Sequence, residues 1–189
     1  MNTSFNIQLP EWAQMFRHMM LNETFGDDES KMDVAIELSR QNVKQKTGGP
    51  FGAVIFDAND GSVVSIGVNL VTSANCSVLH AEIIAIMLAQ SMLDTYDLSS
   101  EGNFELFTST EPCAMCLGAI HWSGVSRVVC AATEADAVQI GFNEGRKPAG
   151  GINVLKCDGI EVITELSRDR AAAVLKEYKA DSGTIYNPK

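Results

Sequence analysis

Basic residues are scarce. The chain carries 14 Lys and Arg against 24 Asp and Glu, a formal net charge of −10. A protein that grips a phosphate backbone needs cations to displace its counterions, and no basic stripe is present. The shortage argues against a nucleic-acid partner and favours a small neutral one, although a local basic patch can sit inside a negative total. Long apolar runs are missing as well: none reaches the roughly twenty residues of a membrane span. Residues 1–10 hold no basic segment followed by an apolar run, so no secretory signal is expected. Cysteine is sparse and odd in number, five in all, which a fully paired disulfide framework would not leave. The expected setting is the reducing cytoplasm. Internal repeats and low-complexity tracts are absent too. What is present is 189 residues, 46% of them hydrophobic, enough for one domain with a proper core.

Two short stretches stand out: His80-Ala81-Glu82 and Pro112-Cys113-Ala114-Met115-Cys116. Zinc favours imidazole nitrogen and thiolate sulfur, and a catalytic zinc keeps three protein ligands with the fourth position open. His80, Cys113 and Cys116 make such a set. Glu82, two residues past His80, is left free to move protons. A lone Cys-x-x-Cys also fits a structural metal or a thiol–disulfide pair. A closed structural zinc would call for a second such pair, and the His-x-Glu half favours the open site. Of the other cysteines, Cys76 and Cys157 have no grouping, and Cys130 lies in the apolar Val128-Val129-Cys130-Ala131, where it reads as a small buried hydrophobe. His121 falls about 80° from Cys113 and about 140° from Cys116 around a helix, so it does not converge with them. His18 has no partner motif.

The periodicity predicts a helix between Pro10 and Gly26, with Trp12, Met15, Phe16, Met19 and Met20 on one apolar face. Gly26-Asp27-Asp28 starts a second helix, with Met32, Ala35, Ile36, Ser39 and Val43 on one side and Gly48-Gly49-Pro50 as its stop. Strands are expected at 51–56 and 63–69 around the turn 57–61, at 103–110, at 127–132 and at 160–166. The loop 71–78 delivers His80 to a helix whose buried face is marked by Ile83, Ile84, Met87 and Leu88. Pro112 opens another helix, with Cys113 and Cys116 on one face of it. A short helix is expected at 135–140, a loop at 141–145, a flexible stretch at 146–151, and a last helix at 168–179 with Ala172, Leu175 and the Lys179 stem inward. Strands alternating with helices give a layered α/β domain with the chemistry at strand-to-helix junctions.

Glu144 has two readings. It is a solvated loop acid, as most acids are, or a second carboxylate in a pocket. The second reading suits a base with N–H groups away from the reacting carbon. Guanine has them, whereas cytosine and adenine offer a different donor pattern.

His-x-Glu…Pro-Cys-x-x-Cys is an established signature of zinc nucleobase deaminases. Together with Gly49-Pro50-Phe51-Gly52-Ala53-Val54-Ile55, Asn69, Thr110-Glu111-Pro112-Cys113-Ala114-Met115-Cys116 and Gly141-Phe142-Asn143-Glu144, it makes the chain resemble the cytidine-deaminase superfamily. Within that superfamily the chain is most similar to the bacterial guanine deaminases, from about Asp28 to the C-terminus. Residues 1–27 then form an N-terminal helical extension and 28–189 the deaminase domain. The resemblance implies a three-layer α/β/α fold around a five-stranded mixed sheet, in a homodimer. It implies one Zn2+ per chain on His80, Cys113 and Cys116, with Glu82 as proton shuttle. It further implies that Asn69 holds a purine carbonyl or ring nitrogen, that the backbone N–H of Ala81 assists, and that Phe51 packs on the base. Glu144 matches a position that is Asp in a related enzyme, where it faces the amino side of guanine; here the reach is one methylene longer. The C-terminal segment of such proteins can close over a pocket, which makes Tyr186 a lid residue unless the tail simply frays. Trp122 has a poor helical angle for that region and is given no role.

The implied reaction takes guanine and water to xanthine and ammonia, a step of purine catabolism, with amino-triazines of similar shape as further substrates. Adenosine deamination in tRNA shares the Pro-Cys-x-Met-Cys pattern and Asn69 but needs a basic docking surface. Cytidine or deoxycytidylate deamination comes next, with no clear phosphate-gripping cluster in support. A zinc-stabilised interaction module would have no use for Glu82 and would close the fourth metal position.

Overall fold

Strands that are apolar on both faces are stable only when both faces are covered. In the computed structural model, which describes residues 4 and 6–187, they lie at the centre of three layers. Strands β1 (Gly52–Asp57) and β2 (Val63–Val68) form an antiparallel pair. Strand β3 (Phe104–Thr110) runs antiparallel to β1 and parallel to β4 (Arg127–Ala132), and β4 is parallel to β5 (Glu161–Ile163). The order across the sheet is β2-β1-β3-β4-β5, the expected five-stranded mixed sheet. Alternate residues feed two cores. Val54 and Phe56 of β1 and Val129 and Ala131 of β4 face one, while Ala53, Ile55, Val128 and Cys130 face the other.

The helices are α1 (Glu11–Met20), α2 (Asp28–Lys44), α3 (Ala81–Leu93), α4 (Ala114–Ser123), α5 (Glu134–Ile140), the single turn α6 (Val154–Cys157) and α7 (Arg168–Ala180). Met32 and Ile36 of α2 and Val174 and Leu175 of α7 fill the first core, which Leu9 and Ala13 extend toward α1. Ala85 and Ala89 of α3 and Leu117 and Ile120 of α4 fill the second. Helix α3 lies very close to the hairpin because position 67 is glycine: a Cβ there would stand 2.0 Å from the Ala81 carbonyl oxygen. Asp27 caps α2 by accepting from the Ser30 N–H at 2.8 Å. No helix among the described residues is long and apolar enough to cross a membrane.

Several expectations need correction. The apolar stripe of α1 straddles the surface: Trp12, Phe16 and Met20 pack on the core, whereas Met15 and Met19 are 63% and 60% exposed. Helix α3 is sandwiched between the hairpin and α4, so Ala85, Ile86 and Ala89 are buried with Ile84, and Met87 points out. Helix α4 begins at Ala114, with Cys113 as its N-cap and Pro112 outside it. Strand β5 stops at Ile163, because Glu165 and Ser167 take φ values of +65° and +56° that no extended strand accommodates. In α7, Tyr178 turns inward, while Lys179 is exposed and donates to the Gln139 carbonyl. The stretch read as flexible holds Lys147, whose ammonium is pinned between Glu111 at 2.8 Å and Glu134 at 3.1 Å.

Candidate active site

Helix entry points put the key side chains in place. His80 is the N-cap of α3 and Cys113 the N-cap of α4, so two helix starts meet at one spot. Cys116 follows in the first turn of α4. The three ligating atoms close a small triangle. His80 Nδ1 lies 3.5 Å from Cys113 Sγ and 3.6 Å from Cys116 Sγ, and the sulfurs are 3.6 Å apart. With zinc–sulfur bonds near 2.3 Å and zinc–nitrogen bonds near 2.0 Å, a tetrahedral ion demands edges of about 3.5–3.8 Å. The triangle therefore fits zinc in both donor chemistry and size, and its fourth apex has no further His, Cys, Asp or Glu ligand among the described residues.

Electrostatics match that use. The Cys116 thiol donates toward the Cys113 sulfur and, with His80 beside it and burial opposing, holds Cys113 down to about 4. The same hydrogen bond, with burial and the Glu82 charge, pushes Cys116 well above the usual thiol range. The pair thus favours a thiolate at Cys113, and binding a metal draws the proton from Cys116 as well. Burial works against a proton on His80, yet the bond to Cys113 and the charges of Glu82, Cys113 and Glu144 together raise its pKa. Glu82 is buried and does not join the ligand set. Burial first, and then the Cys113 charge, raise its carboxyl. A carboxyl displaced upward beside a metal site is what proton transfer near neutral pH requires.

A cavity of about 470 Å³ opens over this group. Phe51, Asn69, His80, Glu82, Cys113, Glu144 and Tyr186 all line it. Ala81 is fully buried in the first turn of α3 and is not among the lining residues. Asn69 is buried: its Oδ1 accepts from the Gly49 and Val71 N–H groups, and its Nδ2 has no protein partner among the described residues. An amide held in this way offers a donor to whatever fills the cavity. Glu144 is 9% exposed, and its carbonyl accepts from Ala114 N–H at 2.9 Å, tying the 141–147 loop to the start of α4. Burial, then the Cys113 and Glu82 charges, push its carboxyl up to about 7. The solvated-loop reading of Glu144 is set aside by that burial.

Sequence reasoning gave no role to Phe142 or Thr110. Phe142 stands at the centre of an aromatic cluster, 5.0 Å from both Phe51 and Tyr186 between ring centroids. The buried Thr110 and Tyr186 hydroxyls at the cavity wall also have no hydrogen-bond partner among the described residues. Phe142 lies in the quoted Gly-Phe-Asn-Glu stretch, and Thr110 at the start of Thr-Glu-Pro-Cys-Ala-Met-Cys. As far as Asn187 the tail is tied down: Asn187 accepts from Asn143 N–H and donates to the Gly141 carbonyl, both at 2.9 Å. His121 pairs with Asp158 at 2.9 Å on the surface, away from the triangle.

One imidazole, two cysteines and an uncommitted buried carboxylate, set where strand ends meet helix starts, define a zinc hydrolase of the α/β/α class. The zinc-binding region of cytidine and deoxycytidylate deaminases matches residues 26–132, and the chain belongs to that family. Guanine deaminase of Bacillus subtilis (strain 168) is 41% identical over 116 residues, covering 61% of this chain and 71% of that one. The solved guanine deaminase from Nitrosomonas europaea superposes with a TM-score of 0.87 at 43% identity, covering 95% of this chain and 98% of that one. A solved mutant protein in complex with 8-azaguanine gives a TM-score of 0.88 at 43% identity over 95% of this chain and 99% of its own.

Proposed function

We propose that the protein is a zinc-dependent guanine deaminase that converts guanine and water to xanthine and ammonia. The observation that carries this reading is one cavity over the His80–Cys113–Cys116 set, lined also by the separate Glu82 carboxyl, the Asn69 amide and the Glu144 carboxyl. When bound, zinc supplies a Lewis acid that brings water's pKa toward neutrality. The chain's own residues do the rest. Phe51 and Phe142 present apolar ring surface to a flat base. Asn69 Nδ2 donates to a carbonyl or ring nitrogen, and Glu144 accepts from ring N–H groups. The Ala81 N–H, at the first position of α3, has no intrahelical partner by position and adds a donor there. Glu82 accepts one proton from water and passes it to the ring nitrogen beside the amino-bearing carbon. It then takes the second, from the hydroxyl added to that carbon, and delivers it to the departing amine as the C–N bond breaks. One carboxyl performs both transfers because it is protonated and deprotonated in turn. Tyr186 closes the far side. Amino-triazines share the edge pattern and enter as secondary substrates.

A homodimer is part of the reading. Met87, Met115 and Trp122 leave apolar surface exposed on α3 and α4, which pack side by side, and such patches suit a second copy. Five cysteines with no disulfide among the described residues suit a reducing cytoplasm and a place in purine catabolism. Residues 1–27 serve as an extension to the deaminase domain at 28–189. The assay is ammonia release from guanine, adenosine, cytidine and a tRNA anticodon stem, each with and without chelator. Chelator-sensitive release from guanine is expected. Release from cytidine or the tRNA stem alone would overturn the substrate assignment.

A further inference from the structure

Helix α1 lies outside the family match, and its contacts give it work. Trp12 Nε1–H donates to Thr47 Oγ1 at 3.0 Å, and the Thr47 hydroxyl donates to Asn42 Oδ1 at 2.7 Å. Asn42, wholly buried, then donates through Nδ2 to two carbonyls at 2.8 Å each, those of Gly49 and Asn69. The shorter of the two Thr47 hydroxyl bonds goes to Asn42 Oδ1, with the Asn42 carbonyl at 3.5 Å, so the hydroxyl and the two carbonyls together set which way the Asn42 amide points. The two carbonyls it grips belong to the residues that set the Asn69 side chain: Asn69 itself, and Gly49, whose N–H bonds Asn69 Oδ1. The approach is tight. A Cβ at Gly48 would fall 1.8 Å from the Asn69 carbonyl oxygen, and one at Gly49 would fall 2.5 Å from the Tyr186 hydroxyl.

We infer that Trp12, Thr47 and Asn42 are positioning residues, through which α1 holds the Asn69 amide in its donor orientation toward the bound base. This rests on the reading of Asn69 as a base contact given above. The alternative is that α1 only covers the core, in which case the hydroxyl and the indole N–H have no effect on ligand binding.

The test uses the zinc-loaded full chain and three variants. Thr47→Val keeps the shape and removes the hydroxyl, Thr47→Ser restores it, and Trp12→Phe removes the indole N–H together with part of the ring that packs on the core. Affinity for 8-azaguanine is measured by titration calorimetry, kcat and KM by ammonia release from guanine, and exchange of the Gly49 and Val71 amide protons by NMR in the ligand-free protein. For Thr47→Val the inference expects 8-azaguanine binding and KM weakened about five- to tenfold, the size of one lost buried hydrogen bond. It expects kcat and zinc content within about twofold of wild type, faster exchange at both amides, and wild-type behaviour in Thr47→Ser. Trp12→Phe should weaken binding about two- to threefold, an effect nearer the low end for such bonds. Unchanged affinity and exchange in Thr47→Val would overturn it, and so would a Thr47→Ser variant as impaired as the valine. If Thr47→Val does not fold, Trp12→Phe decides, with unchanged affinity and exchange overturning the inference. A wild-type protein that binds no 8-azaguanine would instead defeat the functional reading, and the exchange rates would still decide whether the relay holds Asn69.

Discussion

At Glu144, burial, the Cys113 sulfur and the Glu82 carboxyl all oppose ionisation, while Lys147 favours it. Such a group is worth keeping only if something in the cavity needs an acceptor. Glu144→Gln keeps the shape and loses the charge, so kcat/KM for guanine should fall about ten- to hundredfold, the usual worth of a hydrogen bond to a charged group. Zinc per chain should be unchanged; an undiminished kcat/KM would make Glu144 a bystander. The site was legible where its residues are close in sequence. His80 and Glu82 are two apart and Cys113 and Cys116 three apart, and helix starts convert those spacings into convergence. Thr110 and Phe142 sit inside recognised motifs yet receive no role from them, and Asn42 is not singled out, because what each one faces is decided by the fold. Asn42 meets Asn69 across 27 positions of chain, a distance that no local pattern encodes.

Among the elements, α3 carries both His80 at its cap and Glu82 in its first turn. Its seat on the hairpin depends on Gly67. Gly67→Ala forces a methyl against the Ala81 carbonyl and should destabilise by about 1–3 kcal/mol. Since it displaces the ligand-bearing end, zinc affinity should drop about tenfold; competition with a chelator measures this, and an unchanged affinity would refute the coupling. Helix α5 offers a test by pH. Asp136 completes a capping box with Thr133 and also receives two Arg168 bonds. The Arg168 bonds, against burial and aided by the Thr133 N–H and hydroxyl, hold its carboxyl down to about 2. Because that lies below the unfolded value of about 3.9, the folded state binds fewer protons. The stabilisation is therefore complete above about pH 4 and is lost as pH falls through about 2. Asp136→Asn should lower Tm by roughly 2–4 °C at about pH 6, with the gap closing by about pH 2. A gap of constant size would contradict this. Element types were readable from periodicity, but faces and ends were less so. Periodicity cannot tell that α1 lies at the rim, leaving Met15 and Met19 in solvent, nor that left-handed residues cut β5 short.

On the scale of the whole molecule, the sheet acts as a spacer between two cores and brings α3 and α4 together at one edge of the cavity. The N-terminal helix reaches the same cavity from the other core, through Thr47 and Asn42. The acidic total and the neutral, flat base it is read to accept are consistent with each other. All of this turns on a three-ligand zinc served by a separate carboxyl. The most direct test prepares wild type and Glu82→Gln, determines zinc per chain in each, and follows ammonia release from guanine as metal is removed and restored. Both proteins should hold one zinc. Wild-type activity should track occupancy, and the glutamine variant should fall by roughly 10²–10⁴-fold with its zinc in place. Full turnover in the metal-free wild type, or near-normal turnover in Glu82→Gln, would contradict the account.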